Sequence, residues 1–198
     1  MRHVICALSM AAAASLAVAA SAVHPTALTI VLEFQGPHSD RSIDEMKHEL
    51  ETVMKDAGLT FDWRTRSQAT GQSFANLVVV RFKGNCVLEP VAYLYDERGP
   101  MAFTYATGGE VQPFSEVACD RVVAAARSAM SGGDFAHADL LLGRALGRVV
   151  AHELVHMLSK SGEHGREGVA QPALSGLRLI APEMHLSPAD LERIYTQP

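Results

Sequence analysis

A chain of 198 residues with 48% hydrophobic and 20% charged side chains is long and apolar enough for one domain with a full core, which excludes a disordered polymer. The formal net charge of -5, without any basic run, argues against a nucleic-acid partner.

The N-terminus reads as an export signal. Met1-Arg2-His3 supplies a short basic start, Val4 to Ala20 is apolar and alanine-rich, and Ala20-Ser21-Ala22 offers the small-x-small pattern cut by signal peptidase. An alanine-rich stretch of that length makes a poor membrane span, and Cys6 lies too early to be a lipobox cysteine. Residues 1–22 are therefore expected to be a cleaved signal peptide. Residues 23–198 are expected to be a single domain, secreted or periplasmic and not integral to a membrane. Export leaves Cys86 and Cys119, and a lone pair in an oxidising compartment is most simply a disulfide. Such a closure contributes roughly 3–4 kcal/mol by chain entropy; the alternative is two unpaired buried thiols. Neither cysteine has C-x-x-C spacing, so a cysteine zinc site is not expected.

In chain order, Ala27 to Phe34 is β-branched and apolar, a strand entering a core. Gly36-Pro37 breaks it, and Ser39 or Asp40 caps a helix to about Ala57 with Ile43, Met46, Leu50, Val53 and Met54 on one stripe. Beyond Gly58, residues Leu59 to Arg64 alternate as a half-buried strand does. After a polar link, Asn76 to Phe82 is a continuous apolar run suited to the middle of a sheet covered on both faces. Val91 to Tyr95 and Met101 to Ala106 flank a turn-rich loop and predict a hairpin, followed by a short segment at Val111. Helix is expected from Ser115, as a cap, through Met130. A second helix runs from near Asp134 to about Ser159, burying Leu140, Leu141, Ala145, Leu146, Val149, Val150, Leu154 and Leu158. Glu163 onward predicts loops around Pro172, Pro182 and Pro188, with a short terminal helix from Ser187.

On that second helix lies His152-Glu153-Leu154-Val155-His156, an H-E-x-x-H run. Residues four apart share a helix face, so both imidazoles reach one metal ion, and the glutamate lies beside its open position as a base for attacking water. A catalytic zinc site takes three protein ligands. His164 is the nearest candidate for the third, with Gly162 letting the chain fold back; Glu163, Glu167, Glu183 and His185 are rivals. His24, His38, His48 and His137 lack ligand spacing and are expected at the surface.

The run from His152 to His164 resembles the metzincin branch of the zincin metallopeptidases, whose pattern is H-E-x-x-H-x-x-G-x-x-H. Ser159 stands at the glycine place, and the third histidine comes eight residues after the second instead of six. The tail from Glu163 to Ala170 is similar to that of small secreted bacterial proteins of zincin type. The resemblance implies an α+β, zincin-like fold, a mixed twisted sheet of about four to five strands packed on a backing helix and an active-site helix. It also implies Zn2+ held by His152, His156 and His164, Glu153 as catalytic base, a peptide or protein substrate along an edge strand in Val91 to Ala106, and a methionine turn for which Met184 is the candidate. Tyr93, Tyr95 and Tyr105 are conceivable oxyanion partners, none of them assigned. The function expected is a secreted zinc-dependent peptidase. The other readings are a non-catalytic zincin-fold module binding metal or protein, which has no chemical need of Glu153, and an amidase on cell-wall peptides.

Overall fold

The computed structural model describes residues 26–88 and 99–196; the expected signal peptide, Val91 to Tyr95 and His24 lie outside the described residues. Strand β1 (Thr26–Phe34) leads to helix α1 (Asp40–Val53), which starts where Ser39 Oγ accepts a hydrogen bond from the Ser42 N–H. A 3-10 turn (Lys55–Ala57) and Gly58, in the left-handed region at φ 62°, return the chain to β2 (Leu59–Thr65), parallel to β1. A one-turn helix, α2 (Arg66–Ala69), then precedes β3 (Leu77–Lys83) on the other side of β1. β4 (Ala102–Thr107) and β5 (Glu110–Ala118) form an antiparallel pair turning at Gly108-Gly109. The architecture is α+β: one five-stranded mixed sheet in the order β2-β1-β3-β5-β4, with β4 alone antiparallel among the described strands.

The remaining helices are α3 (Cys119–Ala129), α4 (Ala138–Ser159), α5 (Gly176–Ile180) and α6 (Pro188–Tyr195). Leucines 142, 146 and 154 of α4 and Ile30, Val80 and Phe82 of the sheet lie fully buried in one core with Met46 and Leu50 of α1. Close approach of α4 to α1 depends on Gly147, where a Cβ would stand 2.8 Å from the Met46 carbonyl oxygen and the Glu49 Cβ. Cys86 and Cys119 form a disulfide, with Cα atoms 4.9 Å apart.

Three expectations need correction. β5 runs through Ala118, so Ser115 caps no helix and α3 begins at Cys119. Parallel pairing of Ser115, Glu116 and Val117 with Val80, Arg81 and Phe82 overrides local helix preference. Pro113 is tolerated because it lies in the irregularity of the β4–β5 ladder and just before the pairing with β3 begins. β3 is not covered on both faces: Val78, Val80 and Phe82 are buried under the helices, whereas Leu77, Val79 and Arg81 are half-buried. Their face is shielded by long side chains, with Arg81 bonded to Glu33 and lying over Phe114, and Lys83 paired with Glu116. Third, α4 begins at Ala138 after a 3-10 segment (Gly132–His137), and α5 interrupts what was expected to be loop. Among the described residues no helix is long and apolar enough to cross a membrane.

Candidate metal centre

α4 is enclosed by the sheet, α1 and the C-terminal helices, so its polar residues are buried with its apolar ones. Arg148 is fully buried and donates through Nε to Glu49 Oε1 (2.7 Å) and through Nη2 to the Ala181 carbonyl (2.7 Å). Burial holds its pKa below the usual value, and the hydrogen bond to Glu49 opposes that shift. This guanidinium fixes α4 against α1 and the segment after α5. One turn further, the H-E-x-x-H face meets the cleft.

His152, His156 and His164 converge, with their ligand nitrogens all within 4.8 Å of one another. His152 Nδ1 lies 2.9 Å from the Val169 carbonyl oxygen and His156 Nδ1 lies 2.8 Å from that of Ser161. A carbonyl only accepts, so each Nδ1 carries the proton. Burial lowers the pKa of His152 to about 4 and lowers that of His156, so both rings are neutral near pH 7 and each Nε2 is a bare lone pair. Yet the two Nε2 atoms face each other at 3.2 Å. Two lone pairs at that distance repel unless a cation lies between them. Tetrahedral bonds of ~2.0–2.1 Å to zinc place neighbouring nitrogens ~3.3–3.4 Å apart, so the pair has the spacing of two ligands. The carbonyls of Ser161 and Val169 fix the tautomers as outer partners of metal-bound histidines commonly do.

The chain returns by a route the sequence does not give. Gly162 is not the pivot; Lys160 is, in the left-handed region at φ 49°, with its N–H on the His156 carbonyl. Ser159 stays helical and donates Oγ–H to Val155. A second pivot, buried Gly168 at φ 69°, packs so closely on the His185 carbonyl that a Cβ would stand 2.7 Å from it. That contact presents Val169 to His152 on one side and its N–H to the His185 carbonyl on the other. His185 is exposed, and the group among the described residues that could hold a metal ion contains none of Glu163, Glu167, Glu183 or His185. His38, His48 and His137 are exposed as expected. Met184 is half-buried against the apolar core.

Glu153 is 4% exposed and opens on a cleft of about 540 Å³ shared with the three histidines. Burial pushes its pKa up to about 7, against the Thr104 Oγ–H that donates to its Oε2 at 2.7 Å. Met101 and, on β4, Ala102 and Thr104 form one wall, and Val149, Pro172 and Leu174 add apolar surface. Strand alternation that aims Thr104 inward aims Tyr105 outward, where its hydroxyl lies 3.4 Å from Glu116, so Tyr105 does not serve the site. Tyr93 and Tyr95 lie outside the described residues. Thr104, Arg148 and Gly168 support the site without being among the residues expected there. Thr104 carried no local signal, whereas an arginine on the apolar stripe of a helix and a glycine four residues past a candidate ligand did. Such a centre can bind a divalent cation and hold a carboxyl group near neutral pKa beside it. Comparison of the chain with protein-family models finds no match, and no curated protein matches it.

Proposed function

We propose that this chain is a zinc-dependent peptidase of zincin type, exported from the cell. The observation that carries the proposal is Glu153: a buried carboxyl of raised pKa placed by Thr104 on the same cleft as three converging imidazoles. A site built only to hold metal has no use for an uncoordinated carboxylate at that place. His152, His156 and His164 would hold the ion, and when bound it supplies Lewis acidity towards a carbonyl and towards water. Glu153 takes the proton of the attacking water and passes it to the leaving amine, the role of a general base and then a general acid. Thr104 holds the Oε2 edge of Glu153 during both transfers. β4, the edge of the described sheet, offers backbone groups with which an extended peptide can pair across the cleft. The Cys86–Cys119 disulfide supports export to an oxidising compartment. The test is a mixed peptide library with zinc-loaded wild type and Glu153→Gln. Cleavage by the wild type that falls at least ~100-fold in the variant is expected of a lost general base. Zinc binding by both with cleavage by neither would assign the protein to metal or partner binding instead.

A further inference from the structure

Of the three candidate ligands, His164 has the least support. His152 and His156 lie on the long helix α4, whereas His164 is exposed on the loop that returns from it. Both chain neighbours of His164 touch α6. Arg193 Nη1 donates to the Glu163 carbonyl at 3.0 Å. Gly165 lies against Asp190, close enough that a Cβ there would stand 2.8 Å from Asp190 Oδ1. Asp190 is fully buried and holds the Arg193 guanidinium through the same oxygen, Oδ1. Its other oxygen accepts from Ser187 Oγ at 2.7 Å, and its N–H donates to that hydroxyl. The loop is closed on itself by the Gly165 N–H on the Ala170 carbonyl at 2.8 Å.

We propose that Asp190 and Arg193 are positioning residues of the metal centre, a latch on α6 that fixes the backbone either side of His164 and so sets the affinity of the site. The inference rests on the three-histidine reading above. A helix cap alone needs only Ser187 and the Asp190 N–H. An arginine reaching over thirty residues to one carbonyl, with a buried carboxylate fixing its direction, is explained by the loop it holds. Without the latch the third imidazole must be ordered when the ion binds, and that cost appears as weaker binding.

The experiment measures zinc affinity by chelator competition, with the visible spectrum of the cobalt-substituted protein as a second readout of ligand number. Arg193→Ala should bind zinc ~10–100-fold more weakly than wild type, the range for lost outer partners of metal ligands. Arg193→Lys should recover part of that loss. Gly165→Ala, which leaves the latch residues intact and displaces the loop, should weaken binding in the same range and keeps the test open if Arg193→Ala fails to fold. Tyr195→Phe removes a hydrogen bond from α6 to the Asp56 carbonyl, away from the loop, and should leave affinity unchanged. In a His164→Ala background, Arg193→Ala should add no further loss, because the latch acts through that ligand. A general structural role predicts equal losses in both backgrounds and would overturn the proposal. So would a folded Arg193→Ala or Gly165→Ala protein with wild-type affinity and an unchanged cobalt spectrum. Failure of the wild type to bind any metal overturns the underlying reading as well, and is distinguished by that result alone.

Discussion

Replacing Arg148 with methionine tests how firmly α4 is anchored before any metal is involved. The guanidinium is fully buried; Nε meets Glu49 Oε1 at 2.7 Å, and the two terminal nitrogens meet the Arg178 and Ala181 carbonyls at 2.5 and 2.7 Å. Arg148→Met retains volume and removes every donor. Glu49 is left with Arg144 Nε at 3.8 Å, and its side chain is only 13% exposed. Breaking a buried pair from one side costs about 3–5 kcal/mol, most of it from the stranded charge. With two carbonyls losing a partner and methionine refilling the space, the total stays at about 4 kcal/mol. For a domain of this size that is a fall in Tm of roughly 10–15 °C. Removing the partner too should reverse much of the loss, so Arg148→Met with Glu49→Leu is expected to be more stable than Arg148→Met alone. Thermal unfolding in the presence of a chelator, followed by circular dichroism, gives all three values. A single variant within about 1 kcal/mol of wild type, or a double variant less stable than the single, would show that Arg148 is no anchor of α4.

Ser115 Oγ is buried on β5, opposite Thr104, without a hydrogen-bond partner among the described residues, so Ser115→Ala should stabilise the protein by about 1 kcal/mol in chemical denaturation; a loss of stability would show that the hydroxyl is satisfied in solution. In the metal-free protein Glu153 keeps its proton to about pH 7, whereas the unfolded chain releases it near pH 4.5. Its contribution is therefore present below pH 4.5 and lost as pH rises through 7. Glu153→Gln, which keeps a neutral side chain, should gain on wild type over that window, by up to about 3 kcal/mol at pH 8. A stability difference that does not change between pH 4 and pH 8 would contradict the burial argument. His152 acts in the opposite sense: held neutral to about pH 4, it makes the metal-free fold lose stability as pH falls from 6.5 to 4, and His152→Asn should flatten that acid limb.

Strands and helices whose pattern arises from one face were legible in the sequence. β1, α1, β2 and β3 start and stop within a few residues of expectation, because Ser39 caps, Gly58 turns and apolar periodicity act locally. Ser115 to Ala118 misled because the local string suits a helix and only the pairing with β3 makes it a strand. His152, Glu153 and His156 share a face because the H-E-x-x-H spacing is itself a helix-face argument, whereas His164, off the helix, joins them only through the returning loop. Their supports were not legible: Val169 and Ser161 act through backbone carbonyls, which any residue supplies, and Thr104 acts across a sheet-to-helix contact. The role of Arg148 is not visible in an amphipathic pattern, because α4 is enclosed on nearly every side and its buried charge is an anchor.

The proposed chemistry requires the lone pairs of three imidazoles to share one cation. Metal analysis of the purified protein after dialysis against trace zinc measures this directly. One zinc per chain is predicted, falling to less than a tenth of that in His152→Ala at the same free zinc concentration, as loss of a primary ligand requires. Wild-type protein that leaves dialysis without zinc, or His152→Ala that retains a full equivalent, would contradict it.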